Sequence, residues 1–279
     1  MSGTLYLCAT PIGNLEDITY RVVRTLNEVD LIAAEDTRNS IKLLNHFEIK
    51  TPMTSYHEHN RVTKGHYLVQ KLVAGEDIAL ITDAGTPGIS DPGEDLVKLC
   101  CEAGITVTSL PGAAACITAL TLSGLPTGRF SFEAFLPSDK KVRKRILEEL
   151  KKETRTIIIY EAPHRLLKTL EELYYALGDR IAAVCRELTK KYETAYRTTL
   201  VKAIEYYREE VPKGECVVVI EGCSAAKLLL EQQKSWEAMS IEAHMAIYEK
   251  KGMDHKDAMK AVAKDRGVPK REIYRELMQ

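Results

Sequence analysis

Six short clusters in this 279-residue chain carry side chains or backbone suited to chemistry. The densest is Asp83-Ala84-Gly85-Thr86-Pro87-Gly88-Ile89-Ser90-Asp91-Pro92-Gly93, with glycines on either side of a proline. Such a rigid turn has little side-chain cover, so its backbone donors and acceptors lie open to a ligand such as adenosine or an amino-acid group. Asp83 opens the loop as an acceptor for a hydroxyl or amine, while Asp91 and Pro92 read as the N-cap and first residue of a helix. Two further turns are Ala9-Thr10-Pro11-Ile12-Gly13-Asn14 and Leu110-Pro111-Gly112-Ala113-Ala114-Ala115. The alanines of the second either let a helix pack tightly on a sheet or leave room for a flat ring or a ribose. A fourth loop is Tyr160-Glu161-Ala162-Pro163-His164-Arg165. The polar clusters Glu35-Asp36-Thr37-Arg38 and His57-Glu58-His59-Asn60 have no core-packing reason for their composition, although Asp36 and Glu58 also suit helix starts. His57 and His59 stand two residues apart with no third ligand, a poor zinc site, and no metal is expected.

The elements that must position these clusters follow from hydrophobic periodicity. Residues 5–9, 31–34, 78–82 and 105–110 read as buried strands, and the helices between them fall at 14–29, 39–46 and 91–103. Continuous apolar strands alternating with helices predict a largely parallel sheet covered on both faces. In open sheets of this kind, ligands collect beyond the carboxyl ends of the strands, where the loops above lie. Turn residues cluster at 124–128, and a second alternating unit follows. Its strands are expected at 130–135, 156–160, 181–185, 194–199 and 216–220, with helices at 141–151, 163–176 and 201–208. Two of its strands have no helix between them, which predicts a mixed sheet. Past Gly222 the pattern is helical, with helices at 235–250, 254–264 and 269–277. The last two read either as a helix-turn-helix or as a helical cap or dimer arm. The expected domains are therefore 1–125, 126–224 and 235–279.

Bulk properties set the limits. The net charge of -1 argues neither for nor against a polyanionic partner. Seven cysteines without a C-x-x-C spacing fit small buried hydrophobes in a reducing compartment. No apolar run reaches membrane-spanning length and the first residues show no signal-peptide pattern, so a cytoplasmic protein is expected. The phosphate loop, the nucleophile elbow and the G-x-G-x-x-G dinucleotide fingerprint are missing, which removes weight from phosphoryl transfer, serine hydrolysis and NAD chemistry.

Taken in order, Ala9-Thr10-Pro11-Ile12-Gly13-Asn14-Leu15, Ala34-Glu35-Asp36-Thr37-Arg38, the Asp83 loop and Tyr160-Glu161-Ala162-Pro163-His164-Arg165 resemble the tetrapyrrole methylase superfamily. The resemblance is to the branch that modifies small-subunit ribosomal RNA, and it covers roughly the first 222 residues. It implies an α/β fold: two αβα domains of the tetrapyrrole-methylase type enclosing a cleft, plus a C-terminal helical, helix-turn-helix-like tail. It also implies S-adenosyl-L-methionine as methyl donor and 2′-O-methylation of a cytidine ribose in the decoding region of 16S ribosomal RNA, free or in the assembled small subunit, by a homodimer. Carried over by position, Pro11, Ala84, Gly85, Thr86, Ile89, Ala114 and Ala115 line the donor site from the first domain, with Asp83 and Ser90 beside them. Glu161 and Ala162 contribute from the second domain, joined by Glu187 and Cys216. Porphyrin-modifying relatives carry a methionine-glycine type sequence in place of Glu161-Ala162 and a glycine-rich first loop in place of Thr10-Pro11-Ile12, so both departures point away from a tetrapyrrole substrate.

A ribose hydroxyl needs a positioned proton acceptor, and Glu35, Asp36, His57 and Glu58 are unranked candidates. Arg38, Asn60, His164 and Arg186 suit phosphate or ribose contacts, and the basic run Lys140-Lys141-Val142-Arg143-Lys144-Arg145 suits RNA backbone or a solvated helix start. The rival readings are a small-molecule methylase of the same fold and a non-catalytic nucleic-acid binder working through its tail.

Overall fold

The computed structural model describes residues 2–237 and 239–278. The chain forms two compact units, Met1–Leu147 with Thr156–Glu221, and Glu148–Arg155 with Gly222–Gln279. The first unit holds two five-stranded sheets. Strands β1 (Thr4–Cys8), β2 (Leu31–Ala34), β3 (Met53–Ser55), β4 (Ile78–Ile81) and β5 (Thr106–Leu110) run parallel in the order β3-β2-β4-β1-β5. Their connections include α1 (Tyr20–Glu28), α2 (Thr37–His46), α3 (Arg61–Val73) and α4 (Gly93–Glu102).

Side chains alternate across a strand, and here both alternations are apolar. Leu5, Leu7, Leu31, Ala33, Ile78 and Leu80 face one side and pack on Leu68 and Leu72 of α3 and Leu96 and Cys100 of α4. Cys8, Ile32, Ala34, Ala79 and Ile81 face the other, against Val22 and Leu26 of α1 and Leu44 of α2. Burying each of these leucines contributes about 1.5–3 kcal/mol, so the sheet is fixed from both faces. No helix is expected over 61–73, and α3 forms there. Gly65 has a packing reason: a Cβ there would lie 2.9 Å from Leu99 of α4, so the glycine lets the two helices approach closely. The expected helix over 14–29 is instead a single 3-10 turn, Leu15–Asp17, followed by α1, which restarts where the Thr19 hydroxyl accepts from the Val22 N–H at 3.2 Å.

The second sheet comprises β6 (Phe130–Phe135), β7 (Thr156–Glu161), β8 (Ile181–Arg186), β9 (Thr194–Thr199) and β10 (Cys216–Ile220), in the order β6-β7-β10-β8-β9. It is mixed as the spacing predicts: β6 and β7 are parallel and the remaining pairs antiparallel. Helices α7 (Pro163–Leu177) and α8 (Leu200–Glu209) pack side by side against one face. The opposite face is covered by α5 (Ala115–Ser123), whose Cys116, Ala119 and Leu120 meet Ile158, Ala183, Cys185, Val217 and Val219. The sequence reading groups α5 with the first sheet. Its composition explains the difference: the helix is apolar nearly all round and needs a covering surface on more than one side.

Helix α6 (Lys140–Leu150) begins on the basic run, yet Arg143 turns inward and is buried, so the run is not uniformly a solvated face. In the second unit stand α9 (Ala225–Glu237), α10 (Ile241–Glu249), α11 (His255–Arg266) and α12 (Lys270–Leu277). Among the described residues four helices stand past Gly222 where three are expected, because Ser240 caps a new helix by accepting from the Ala243 N–H at 3.2 Å. Ile241, Met245, Met259, Val262 and Ile273 form their shared core. Asp254 caps α11, its side chain accepting from the Asp257 N–H, and Pro269 occupies the N-cap of α12. Among the described residues no helix is long and apolar enough to cross a membrane.

Candidate active site

The carboxyl ends of β1, β2, β4 and β5 converge on a cavity of about 250 Å³ that the second sheet also walls, all within the first unit. Two loops are stitched together at its base. Thr10 and Gly85 exchange backbone hydrogen bonds of 2.9 and 3.0 Å, and the Thr10 hydroxyl donates to the Thr82 carbonyl at 3.1 Å. Gly85 has φ +90° and Gly88 φ +83°, the left-handed region that glycine enters without strain. The Thr86 hydroxyl donates to the Ala113 carbonyl at 2.9 Å, tying the loop after β4 to the loop after β5. Asp91 organises the rest of the turn: its carboxylate accepts from the N–H groups of Gly88, Ile89 and Gly93 at 2.8–3.1 Å. The N-cap of α4 is Pro92 and its first residue Gly93, so Asp91 stands one residue ahead of the expected cap and ties the loop to the helix start through the Gly93 N–H. Gly112 is needed for a separate reason, since a Cβ there would sit 2.5 Å from that of Ala9.

Of the sequence-derived donor residues, Asp83, Ala84, Gly85, Thr86, Ile89 and Ser90 line the cavity from the β4 loop, and Ala114 and Ala115 from the start of α5. Glu161, Glu187 and Cys216 line it from the second sheet. Pro11 and Ala162 do not: Ile12 takes the inward position of the first loop, and the Ala162 N–H turns to the Glu161 carboxylate at 2.9 Å. Of the candidate bases only Glu35 reaches the cavity. Asp36 caps α2 and grips Arg38, its carboxylate accepting from the Arg38 guanidinium at 2.8 and 3.1 Å, which holds the acid down at about 2. Glu58 pairs with Arg61 at 3.2 Å. The Asn60 side chain accepts from the His57 N–H at 2.9 Å and donates to Ser55, so it braces its own loop. His57 and His59 stand with ring centres 6.0 Å apart beside that loop. His164 is exposed at the start of α7. Asp36, Arg38, His57, Glu58, Asn60 and His164 thus lie outside the cavity lining, and the capping and loop bonds above account for most of their polarity.

Ile12, Thr82, Asp91, Phe135, Tyr160, Leu188, Lys190, Glu215 and Val217 complete the lining and were not singled out for it in the sequence. A signal for Phe135 existed. In Phe130-Ser131-Phe132-Glu133-Ala134-Phe135 the aromatic spacing slips from two to three, and β6 carries a register irregularity there, with Ala134 at φ +53°. The extra residue brings Phe135 back to the face of Phe132, so both rings sit edge-on to Tyr160 at 5.6 and 4.9 Å. The Tyr160 hydroxyl accepts from the Cys116 N–H at the start of α5 at 3.0 Å, and burial raises its pKa.

Carboxylates dominate the electrostatics. Glu35 accepts from the Thr82 hydroxyl at 2.5 Å and faces the Asp83 N–H at 3.4 Å. Asp83 is pushed above the usual carboxylate range by its partly buried position, with the charges on Glu35 and Asp36 adding to the rise against an Asn39 hydrogen bond of 3.3 Å. Glu161 is fully buried, its oxygens held by the Thr169 hydroxyl at 2.5 Å, the Ala162 N–H, and Arg165 at 3.4 Å, with Arg143 at 3.9 Å. That carboxylate is occupied and shapes the wall. Glu187 pairs with Lys190 at 3.0 Å, and burial pushes the Cys216 thiol up to about 12, which keeps it neutral. Glu35, Asp83, Glu187 and Glu215 face a single lysine across a floor of Ile12, Ala84, Ala114, Ala115, Leu188 and Val217. This is a cavity for a cation with a flat apolar portion. S-adenosyl-L-methionine fits it, having a sulfonium and an ammonium for the acids and an adenine for the alanines.

The family described as Tetrapyrrole (Corrin/Porphyrin) Methylases matches residues 4–204. The chain is 52% identical to ribosomal RNA small subunit methyltransferase I of Halalkalibacterium halodurans, over 98% of this chain and 93% of that protein. It is 49% identical to the protein of the same name from Bacillus subtilis, with the same coverage. Among solved structures, diphthine synthase superposes with TM-score 0.61 at 14% identity, covering 78% of this chain and 90% of that one. Uroporphyrin-III C-methyl transferase from Thermus thermophilus, complexed with S-adenyl homocysteine, gives 0.54 at 18%, covering 78% and 97%. At these identities the two structures establish a shared fold.

Proposed function

The chain belongs to the tetrapyrrole methylase family, grouped with the ribosomal RNA small subunit methyltransferase I proteins, and from that premise we propose that it methylates small-subunit ribosomal RNA with S-adenosyl-L-methionine as donor. The finer reading is 2′-O-methylation of a cytidine ribose in the decoding region, by a cytoplasmic homodimer. The observation that carries it is the acid-rich, alanine-floored cavity at the strand ends, held open by backbone bonds between the Thr10 and Gly85 loops.

When bound, the donor supplies an already activated methyl group on a sulfonium. The work left to the protein is therefore alignment, exclusion of water and acceptance of one proton. The β4 loop offers backbone N–H and C=O groups at close range, while Ile12, Ala114 and Ala115 leave space for a planar ring. Asp83, Glu187 and Glu215 complement positive charge. For the proton, the reading favours the Glu35–Asp83 pair: both line the cavity, and the raised pKa of Asp83 brings it nearer to the operating pH than an ordinary carboxylate. Asp36 acts on this pair through charge while keeping its own oxygens on Arg38.

The deciding experiment is transfer of labelled methyl from S-adenosyl-L-methionine to unmodified small ribosomal subunits, followed by mapping of the modified nucleotide. One 2′-O-methylated cytidine is expected. Methylation of a small molecule without RNA would favour the rival methylase reading instead, and failure to bind the donor in calorimetry would favour the non-catalytic one.

A further inference from the structure

A second cavity, about 430 Å³, lies in the same unit and shares Glu187 with the donor cavity. It is walled by the end of β8, the loop that follows, the last turn of α8 and the loop before β10. Its lining differs in kind from the donor site, being two tyrosines with basic and acidic groups around them. Tyr192 is 72% exposed and Tyr206 is 42% exposed, a large aromatic area to leave in water without a partner. Tyr206 is held from behind, with ring centres 4.8 Å from Tyr196 and 5.0 Å from Tyr207, so one ring is rigidly mounted while Tyr192 sits on the β8–β9 loop.

Arg186 supplies the polar observation. Its guanidinium carbon lies 5.8 Å from the centre of the Tyr207 ring, and its Nε is buried yet finds no hydrogen-bond partner among the described residues. A buried donor left without a partner is unfavourable, and an acceptor brought by a ligand relieves it. Lys213 adds a second cation and Glu210 an acceptor on the same wall. Aromatic faces with donors and an acceptor at their edges match a nucleobase, which stacks through its rings and pairs through its edge. A run of phosphates alone would call for cations without Glu210 and without the tyrosines.

We propose that this groove binds an unstacked nucleobase of the substrate RNA flanking the methylated nucleotide, with the base on Tyr192 and Tyr206 and its polar edge toward Arg186 and Glu210. The shared Glu187 wall places the groove beside the methyl-donor cavity, so one RNA strand can present its ribose at the donor while a flanking base lies in the groove. The inference rests on the RNA-methyltransferase reading and adds to it the means of gripping a single strand.

The test compares wild type with Tyr192→Ala and Tyr206→Leu. Donor affinity, read by calorimetry, reports folding of each variant. Affinity for unmodified small ribosomal subunits should fall about fivefold or more for each ring lost, and Tyr192→Trp should restore it. Photocrosslinking of the wild-type complex should leave a nucleotide adduct on Tyr192 or Tyr206. Variants that bind donor and subunits as tightly as wild type overturn the groove while leaving the methyltransferase reading intact. A crosslink from these tyrosines to a ribosomal protein overturns it in favour of a protein contact. Failure of the wild type itself to methylate subunits overturns both.

Discussion

Individual side chains at the site divide by whether their polar atoms are already committed. Glu161 is committed: it is completely buried and held by Thr169, Arg165 and the Ala162 N–H. Glu161→Ala should cost about 3 kcal/mol or more in denaturant unfolding, because Arg143 and Thr169 lose a buried acceptor. Asp83 is uncommitted, with a single hydrogen bond from Asn39 and a raised pKa. Asp83→Asn should weaken donor binding about tenfold by calorimetry, the loss expected for one charge-assisted hydrogen bond. Stability should move the other way. The folded state keeps the Asp83 proton to a higher pH than the unfolded chain does, so folding stability falls as pH rises from the ordinary carboxylate value through the raised one. The substitution removes that loss, and the melting temperature of the variant relative to wild type should climb as the pH rises above the ordinary aspartate value of about 4.

At the scale of elements, the strand-end loops are built as one network. Asp91 accepts from the backbone N–H groups of Gly88, Ile89 and Gly93, and so fixes the half of the β4 loop that the Thr10–Gly85 and Thr86–Ala113 bonds do not reach. Asp91→Ala should reduce donor affinity at least about tenfold and cost about 1–3 kcal/mol in thermal unfolding, with Asp91→Asn recovering part of both. The loop sequence announced its glycines and prolines, but the helix cap falls at Pro92, one residue later than the pattern suggests. It did not announce that the Asp91 carboxylate reaches back to Gly88, because that bond depends on how the turn closes. The same limit explains Glu58 and Asn60. Composition marks them as polar without a core role, and only the folded loop pairs Glu58 with Arg61 and Asn60 with His57.

For the molecule as a whole, the two units carry separate cores, and the helical one contains its own titrating centre. His244 is stacked on Trp236 at 4.0 Å, and Arg266 donates to its Nδ1 at 3.3 Å while Nε2 faces Asp265 at 3.2 Å. The Tyr248 ring lies 5.7 Å away. Burial lowers the His244 pKa, outweighing the opposing effect of Asp265, so the folded unit favours the neutral ring. Below about pH 6.5 the unfolded chain binds the proton first, and the stability of this unit falls as the pH drops. Trp236 is the sole tryptophan, so its emission reports directly on the cluster. Its emission should change on acidification below about pH 6.5, and His244→Phe, which keeps a ring in the stack, should abolish the change.

Local pattern was enough for several features. Two alternating α/β units, a mixed second sheet and a helical end are legible because strand and helix periods are properties of short segments, and both faces of β2 and β4 are apolar in the sequence itself. The Asp83 loop and the alanines after β5, which line the cavity, are legible as open strand-end turns for the same reason: their glycines and small residues set what the backbone can do. Tertiary structure decided which polar residues meet. It put Ile12 in the lining and left Pro11 out of it. It laid α5 across the second sheet, so that Ala114 and Ala115 stand where both sheets reach the cavity, and it turned Phe135 onto Tyr160 through one extra residue in β6. Those outcomes depend on contacts between segments distant along the chain, which no short window of the sequence contains.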